Sequence, residues 1–203
     1  MKLIYKGNYQ SDDQLPKGTL PPNAVRFKEP ENAPELNKAA AKFVLPTLLL
    51  MGIVIAASYA CYGRLNVSAR SPFFPLGMVA AFLCMPLHEL LHAVCFGKAA
   101  EVEFYVSFKN LMMFVVSTQP VSKTRFIALS LLPMLALGWL PLILWAVLPY
   151  GEAYSNLLFT CSLFTIPTGV GDYLNVYNAA RQMPKGSMQQ MSGFHSYWFF
   201  PRR

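Results

Sequence analysis

The sequence predicts an all-α membrane protein with four transmembrane helices and a small cytoplasmic β-hairpin between the second and third. Three observations carry that expectation. Only 13% of the 203 residues are charged and 54% are hydrophobic, about half the charge of a soluble domain. The apolar residues fall into four runs, at 43–62, 73–96, 126–148 and 154–176. Each run is near the ~20 residues that a helix needs to cross ~30 Å of hydrocarbon. The basic residues are placed unevenly about these runs.

The elements follow in chain order. Residues 1–42 form a polar cytoplasmic tail. Leu15-Pro16-Lys17-Gly18 and Leu20-Pro21-Pro22-Asn23 break any helix there. Residues 1–9 suit a short strand with Leu3 and Tyr5 on one face. A helical lead-in, 35–42, enters the first run. Residues 43–178 make the membrane domain. Pro86, Pro133 and Pro167 interrupt its runs. Membrane helices tolerate such prolines when neighbours satisfy the freed carbonyl groups. Between the second and third runs, Val102, Phe104, Val106 and Phe108 alternate with Glu101, Glu103, Tyr105 and Ser107. That is strand periodicity. Lys109-Asn110 is the expected turn, and 111–117 the return strand. Residues 179–203 form a C-terminal tail whose aromatic end, 195–200, suits a membrane surface.

Fifteen of the seventeen Lys and Arg residues lie in the two tails and the hairpin loop, against Arg64 and Arg70 in the other loops. Four spans put those fifteen on one side, and positive charge marks the cytoplasmic side. Short loops point to a bacterial plasma membrane. The net charge of +7 is accounted for in this way. No basic stripe with interleaved aromatics suggests nucleic acid. Cys61, Cys84, Cys95 and Cys161 form no Cys-x-x-Cys pair, so neither a disulfide framework nor a thiolate metal site is indicated.

The chemistry is concentrated in His88-Glu89-Leu90-Leu91-His92. On a helix, positions i and i+4 share one face, so two imidazoles there can hold one zinc ion. Glu89 sits beside the first, positioned as a general base for a zinc-activated water. A carboxylate at mid-span is costly, about 2.5–3.5 kcal/mol on insertion scales, which argues against an incidental polar patch. Zinc in a catalytic site takes three protein ligands. Of the ten acidic residues, only Glu89 and Asp172 fall within the runs. His88 lies fifteen residues into its run and Asp172 eighteen into a parallel one. Those are depths of roughly 23 and 27 Å. Asp172 is therefore the preferred third ligand, and His195 competes with it. Position 98, where one soluble protease layout needs a third histidine, holds Lys98.

His88-Glu89-Leu90-Leu91-His92-Ala93, the strand-like loop, Leu131-Leu132-Pro133 and Gly171-Asp172-Tyr173-Leu174-Asn175 together resemble the zincin peptidases of the DUF3267 type. Those look like compact relatives of the site-2 intramembrane metalloproteases. The resemblance covers roughly 41–201. It implies His88, His92 and Asp172 as zinc ligands and Glu89 as catalytic base. It implies hydrolysis of peptide bonds in membrane-associated protein substrates. The pair Gly171-Asp172 stands in the reverse order of the site-2 protease motif, which leaves the oxyanion-stabilising group open between Tyr173 and Asn175. The competing function is a non-proteolytic zinc-binding membrane protein with a structural, sensing or transport role. The near absence of polar residues in the first and third runs speaks against a transport path.

Overall fold

A computed structural model describes residues 1–108, 112–148 and 151–201. Its helical part follows the apolar runs. Helix α1 (Ala33–Ala40) begins at Asn32, whose side chain accepts a hydrogen bond from the Glu35 amide, and passes through a 3-10 turn into α2 (Val44–Tyr62). Gly63, with φ of +68°, ends α2 in the left-handed conformation that glycine adopts without strain. Helix α3 (Phe73–Cys95) carries the His-Glu pair. Helix α4 (Lys123–Met134) starts at a Ser122 cap and runs through a π-helical turn, Leu135–Trp139, into α5 (Leu140–Val147). Helices α6 (Glu152–Thr168) and α7 (Val170–Gln182) meet at a 50° bend.

Three helical stretches, Ala33–Tyr62, Phe73–Cys95 and Lys123–Val147, are long and apolar enough to cross a membrane, and the bent α6–α7 pair makes a fourth if it is one span. Their outer faces are apolar. Leu45, Leu49, Ile53, Phe82 and Leu83 leave 61–66% of their surface uncovered. Water does not favour so much contiguous apolar surface, and lipid does.

The all-α expectation is overturned. Seven strands among the described residues build two sheets, so the fold is mixed α and β. In the first sheet, β3 (Glu101–Ser107) lies between β1 (Lys2–Asn8) and β4 (Met112–Val116). The expected N-terminal strand and hairpin are present, with β3 and β4 antiparallel and β1 parallel to β3, Lys2 opposite Glu101. The expected turn at Lys109-Asn110 lies outside the described residues. The second sheet runs β2-β7-β6-β5, from Val25–Arg26, His195–Phe199, Met188–Ser192 and Val121–Ser122. Its neighbours are all antiparallel. The physical reason for the miss is distance along the chain. The N-terminal segment expected as a tail supplies strands with distant partners, Lys2 opposite Glu101 and Val25 opposite Trp198, and local periodicity carries no trace of such partners. In the C-terminal segment β6 and β7 pair with each other locally, Gln189 opposite Trp198, but their polar and aromatic residues show no apolar alternation.

Strand β3 is covered on both faces. Val102 packs into a core with Ala93, Phe96, Phe126, Leu129 and Ala179. Tyr105 packs on the opposite face with Tyr9 and Leu15, and its hydroxyl donates to the Gln14 carbonyl at 2.8 Å. The N-terminal segment thereby closes one side of the sheet. The first core joins α3, α4 and α7 at the end where both sheets sit.

Candidate metal centre

Helix α3 presents His88 and His92 one turn apart on one face. Asp172 reaches them because α6–α7 bends. Pro167 and Gly169 interrupt the helix, and a Cβ on Gly169 would collide with the Met134 side chain. The break starts a new helix, with Asp172 in its first turn. A helix N-terminus favours a carboxylate there.

The three side chains converge. His88 Nε2 lies 3.0 Å from Asp172 Oδ2, His92 Nε2 lies 3.1 Å from Asp172 Oδ1, and the two Nε2 atoms are 3.1 Å apart. His92 and Asp172 are both 8% exposed. Among the described residues this is the only group of three or more His, Cys, Asp or Glu side chains arranged to hold a metal ion.

The donor set suits zinc. Tetrahedral zinc, with bonds of about 2.0–2.1 Å, keeps its ligand atoms about 3.3 Å apart, within a few tenths of an ångström of the spacing found. His92 Nδ1 stands 2.8 Å from the Leu129 carbonyl on α4. A carbonyl only accepts, so Nδ1 carries the proton and the lone pair of a neutral ring is on Nε2. That lone pair faces a carboxylate oxygen and a second imidazole nitrogen, an arrangement that calls for a cation between them. Metal-bound histidines are oriented in the same way by a partner on the other nitrogen.

Glu89 points toward the first sheet, where the Val115 amide of β4 faces its carboxyl group. Strand β4 is an edge strand. His195 is elsewhere. It lies in β7, with Nδ1 3.5 Å from Glu29 Oε1 and Nε2 2.9 Å from Arg26 Nη2. The Tyr173 hydroxyl accepts from Trp139 Nε1 at 2.7 Å, and Asn175 is exposed.

Two basic residues that local sequence reading passes over brace the site. Arg125 Nε donates to the Cys95 carbonyl at 2.6 Å, at the last residue of α3. Lys123 Nζ donates to Ala180 O at 3.2 Å and Met183 O at 2.5 Å, at the end of α7. The final carbonyls of a helix lack internal partners and carry partial negative charge. The first turn of α4 thus satisfies the ends of both helices that carry the histidines and the aspartate. Gly97 leaves room for this, since a Cβ there would lie 2.6 Å from Arg125 Nη2. The only sequence signal for these contacts is a pair of cations at the mouth of an apolar helix, which charge counting reads as topology.

No curated protein and no solved structure matches the chain. A family model does, across residues 81–188, which take in most of α3, strands β3 to β5, α4 to α7 and the first residue of β6. That match takes in more than half of the chain, and the protein belongs to the DUF3267 family, described as putative zincin peptidases.

Proposed function

We propose that the protein is an intramembrane zinc metallopeptidase that hydrolyses peptide bonds in membrane-associated proteins or peptides. One observation carries the reading: His88, His92 and Asp172 converge at 3.0–3.1 Å, with Glu89 next to the first ligand on the same helix. Zinc held by these three side chains supplies Lewis-acid activation of a water molecule and of a peptide carbonyl. A Glu89 carboxylate oxygen takes the proton from the attacking water and delivers it to the leaving amine nitrogen. His92 is oriented through Leu129 and the helix ends through Arg125 and Lys123, so the donors are held before substrate arrives.

The edge strand β4 supports a mode of substrate binding. A peptide bond inside an intact helix is poorly exposed to attack. A segment unwound into a strand can pair with the outer edge of β4, which has no further strand beside it among the described residues. Because the Val115 amide faces Glu89, such a strand lies beside the proposed base. The membrane setting is supported by the long apolar helices and their bare outer faces. The joint origin of the sheets, from both terminal segments and the hairpin, supports one common side for these basic segments. That side is the cytoplasm, in a four-span plasma-membrane protein of the kind that site-2 proteases represent.

The test compares wild type with Glu89→Gln in detergent, reading zinc stoichiometry and cleavage of membrane-anchored substrates. The expected result is one zinc in both and cleavage by wild type alone. Equal cleavage by the two would overturn the role of Glu89. Equal zinc content with no cleavage by either favours a non-proteolytic metal protein.

A further inference from the structure

We propose that Pro133 is a positioning residue of the metal centre, acting through the backbone carbonyl that it leaves without a helical donor. The inference rests on the reading of His88, His92 and Asp172 as metal ligands.

In an α-helix the carbonyl of residue i accepts from the amide of residue i+4. For Leu129 that donor belongs to residue 133. Proline has no amide N–H, and its ring pushes against the carbonyl four residues back. The Leu129 carbonyl is therefore turned out of the ladder, and it is the atom that His92 Nδ1 meets at 2.8 Å. Leu129 is 5% exposed and Pro133 less than 2%, so water does not serve as the partner. In an apolar setting an unpaired carbonyl is costly, and the histidine N–H satisfies it. The exchange works in both directions. The proline supplies an acceptor where a regular helix has none to spare, and the acceptor fixes the ring plane and tautomer that aim His92 Nε2 at the site.

The helix around Pro133 is built to accommodate the defect. Directly after it comes the π-helical turn Leu135–Trp139, an interruption of a kind often found at functional sites. Pro86 and Pro167 also lie within helices. The carbonyls they release belong to Phe82 and Leu163, and neither meets a histidine. Pro133 alone of the three stands four residues beyond a metal-site partner.

The test is Pro133→Ala, which restores an amide at position 133. Helix propensity favours alanine, so a purely structural proline predicts a helix that is regularised and a metal affinity that is unchanged. The positioning role predicts that the new amide draws the Leu129 carbonyl back into the ladder and that His92 loses its orienting partner. Zinc affinity, read by competition with a chromophoric chelator, then falls about tenfold or more, the range for partners of metal-bound histidines. The visible spectrum of the cobalt-substituted protein changes with it. An affinity within twofold of wild type overturns the proposal. A measurement on wild type guards against a variant that fails to fold. Nitrogen-15 NMR of the metal-free protein is expected to show His92 protonated on Nδ1, and protonation on Nε2 alone overturns the proposal. His88→Ala separates the two readings. If that variant keeps full zinc affinity, the metal site itself is wrongly placed. If it loses zinc while Pro133→Ala does not, only the role of Pro133 fails.

Discussion

Substituting Gly77 by alanine is expected to destabilise the protein, whereas the same change at Gly52 is expected to stabilise it. Both glycines sit inside apolar helices, α2 and α3, and look alike in sequence. In a helix interior alanine is favoured over glycine by about 1 kcal/mol. At Gly52 nothing lies within 4 Å of an added Cβ, so that gain stands alone. At Gly77 the Cβ would come within 2.7 Å of Thr160 Cβ, 3.0 Å of the Leu157 carbonyl and 3.2 Å of the Cys161 amide. Carbon contacts settle at about 3.5–4.0 Å, so α3 and α6 must part by roughly 1 Å. Thr160 is fully buried and has no room to yield, and two of the three obstacles are backbone atoms. Overpacking of this kind costs about 1–3 kcal/mol, which outweighs the gain in propensity. At about 2–4 °C per kcal/mol for a chain of this size, Gly77→Ala lowers the thermal midpoint in detergent by several degrees at most. Because α3 carries the histidines and α6 leads into Asp172, zinc affinity falls as well. A midpoint at or above that of wild type for Gly77→Ala would refute the packing argument.

Other expectations follow from the sheets and helix ends. Burial raises the Glu29 carboxyl to about 7, against the lowering effect of the Ser196 amide and Arg26. An acid whose folded pKa is raised contributes fully below its unfolded pKa, about 4.5, and that contribution is lost as pH climbs to 7. Wild type should therefore lose up to about 3 kcal/mol relative to Glu29→Gln between pH 4.5 and 7, read from thermal midpoints across pH. Equal pH profiles would contradict it. Arg125→Ala removes the donor to the Cys95 carbonyl and should cost about 1 kcal/mol, measured by denaturation in detergent. His195→Ala should leave zinc affinity unchanged, because that ring faces Glu29 and Arg26 and not the metal centre.

Much of this architecture can be read along the chain. His88 and His92 are bound to share a face once α3 is a helix, and the alternation after Glu101 marks β3. Asp172 follows from elimination among ten acids and from matched depth, and the structure places its oxygens 3.0 and 3.1 Å from the two imidazoles. The second sheet is another matter. Its strands β2 and β5 have two residues each, too few for any period. Strand β6 reads Met-Gln-Gln-Met-Ser, and its two glutamines are buried with partners that no local pattern shows, Gln190 donating to the Thr19 carbonyl and Gln189 to the Ser196 hydroxyl of β7. The pairing of β1 with β3 joins positions 99 apart, as the Lys2–Glu101 ion pair shows. Nothing local to either segment announces the other. The bracing by Arg125 and Lys123 is hidden for a related reason, since both cations answer equally well to membrane topology. Only Pro133 leaves a local clue, standing four residues after the carbonyl that His92 uses.

Zinc binding by His88, His92 and Asp172 is tested by the zinc content of purified wild type and Asp172→Ala after equilibration with a known free-zinc concentration. One tightly held zinc per wild-type chain and a large loss of affinity in the variant are expected. Full affinity in Asp172→Ala, or a wild-type chain that takes up no zinc, would contradict that ligand set.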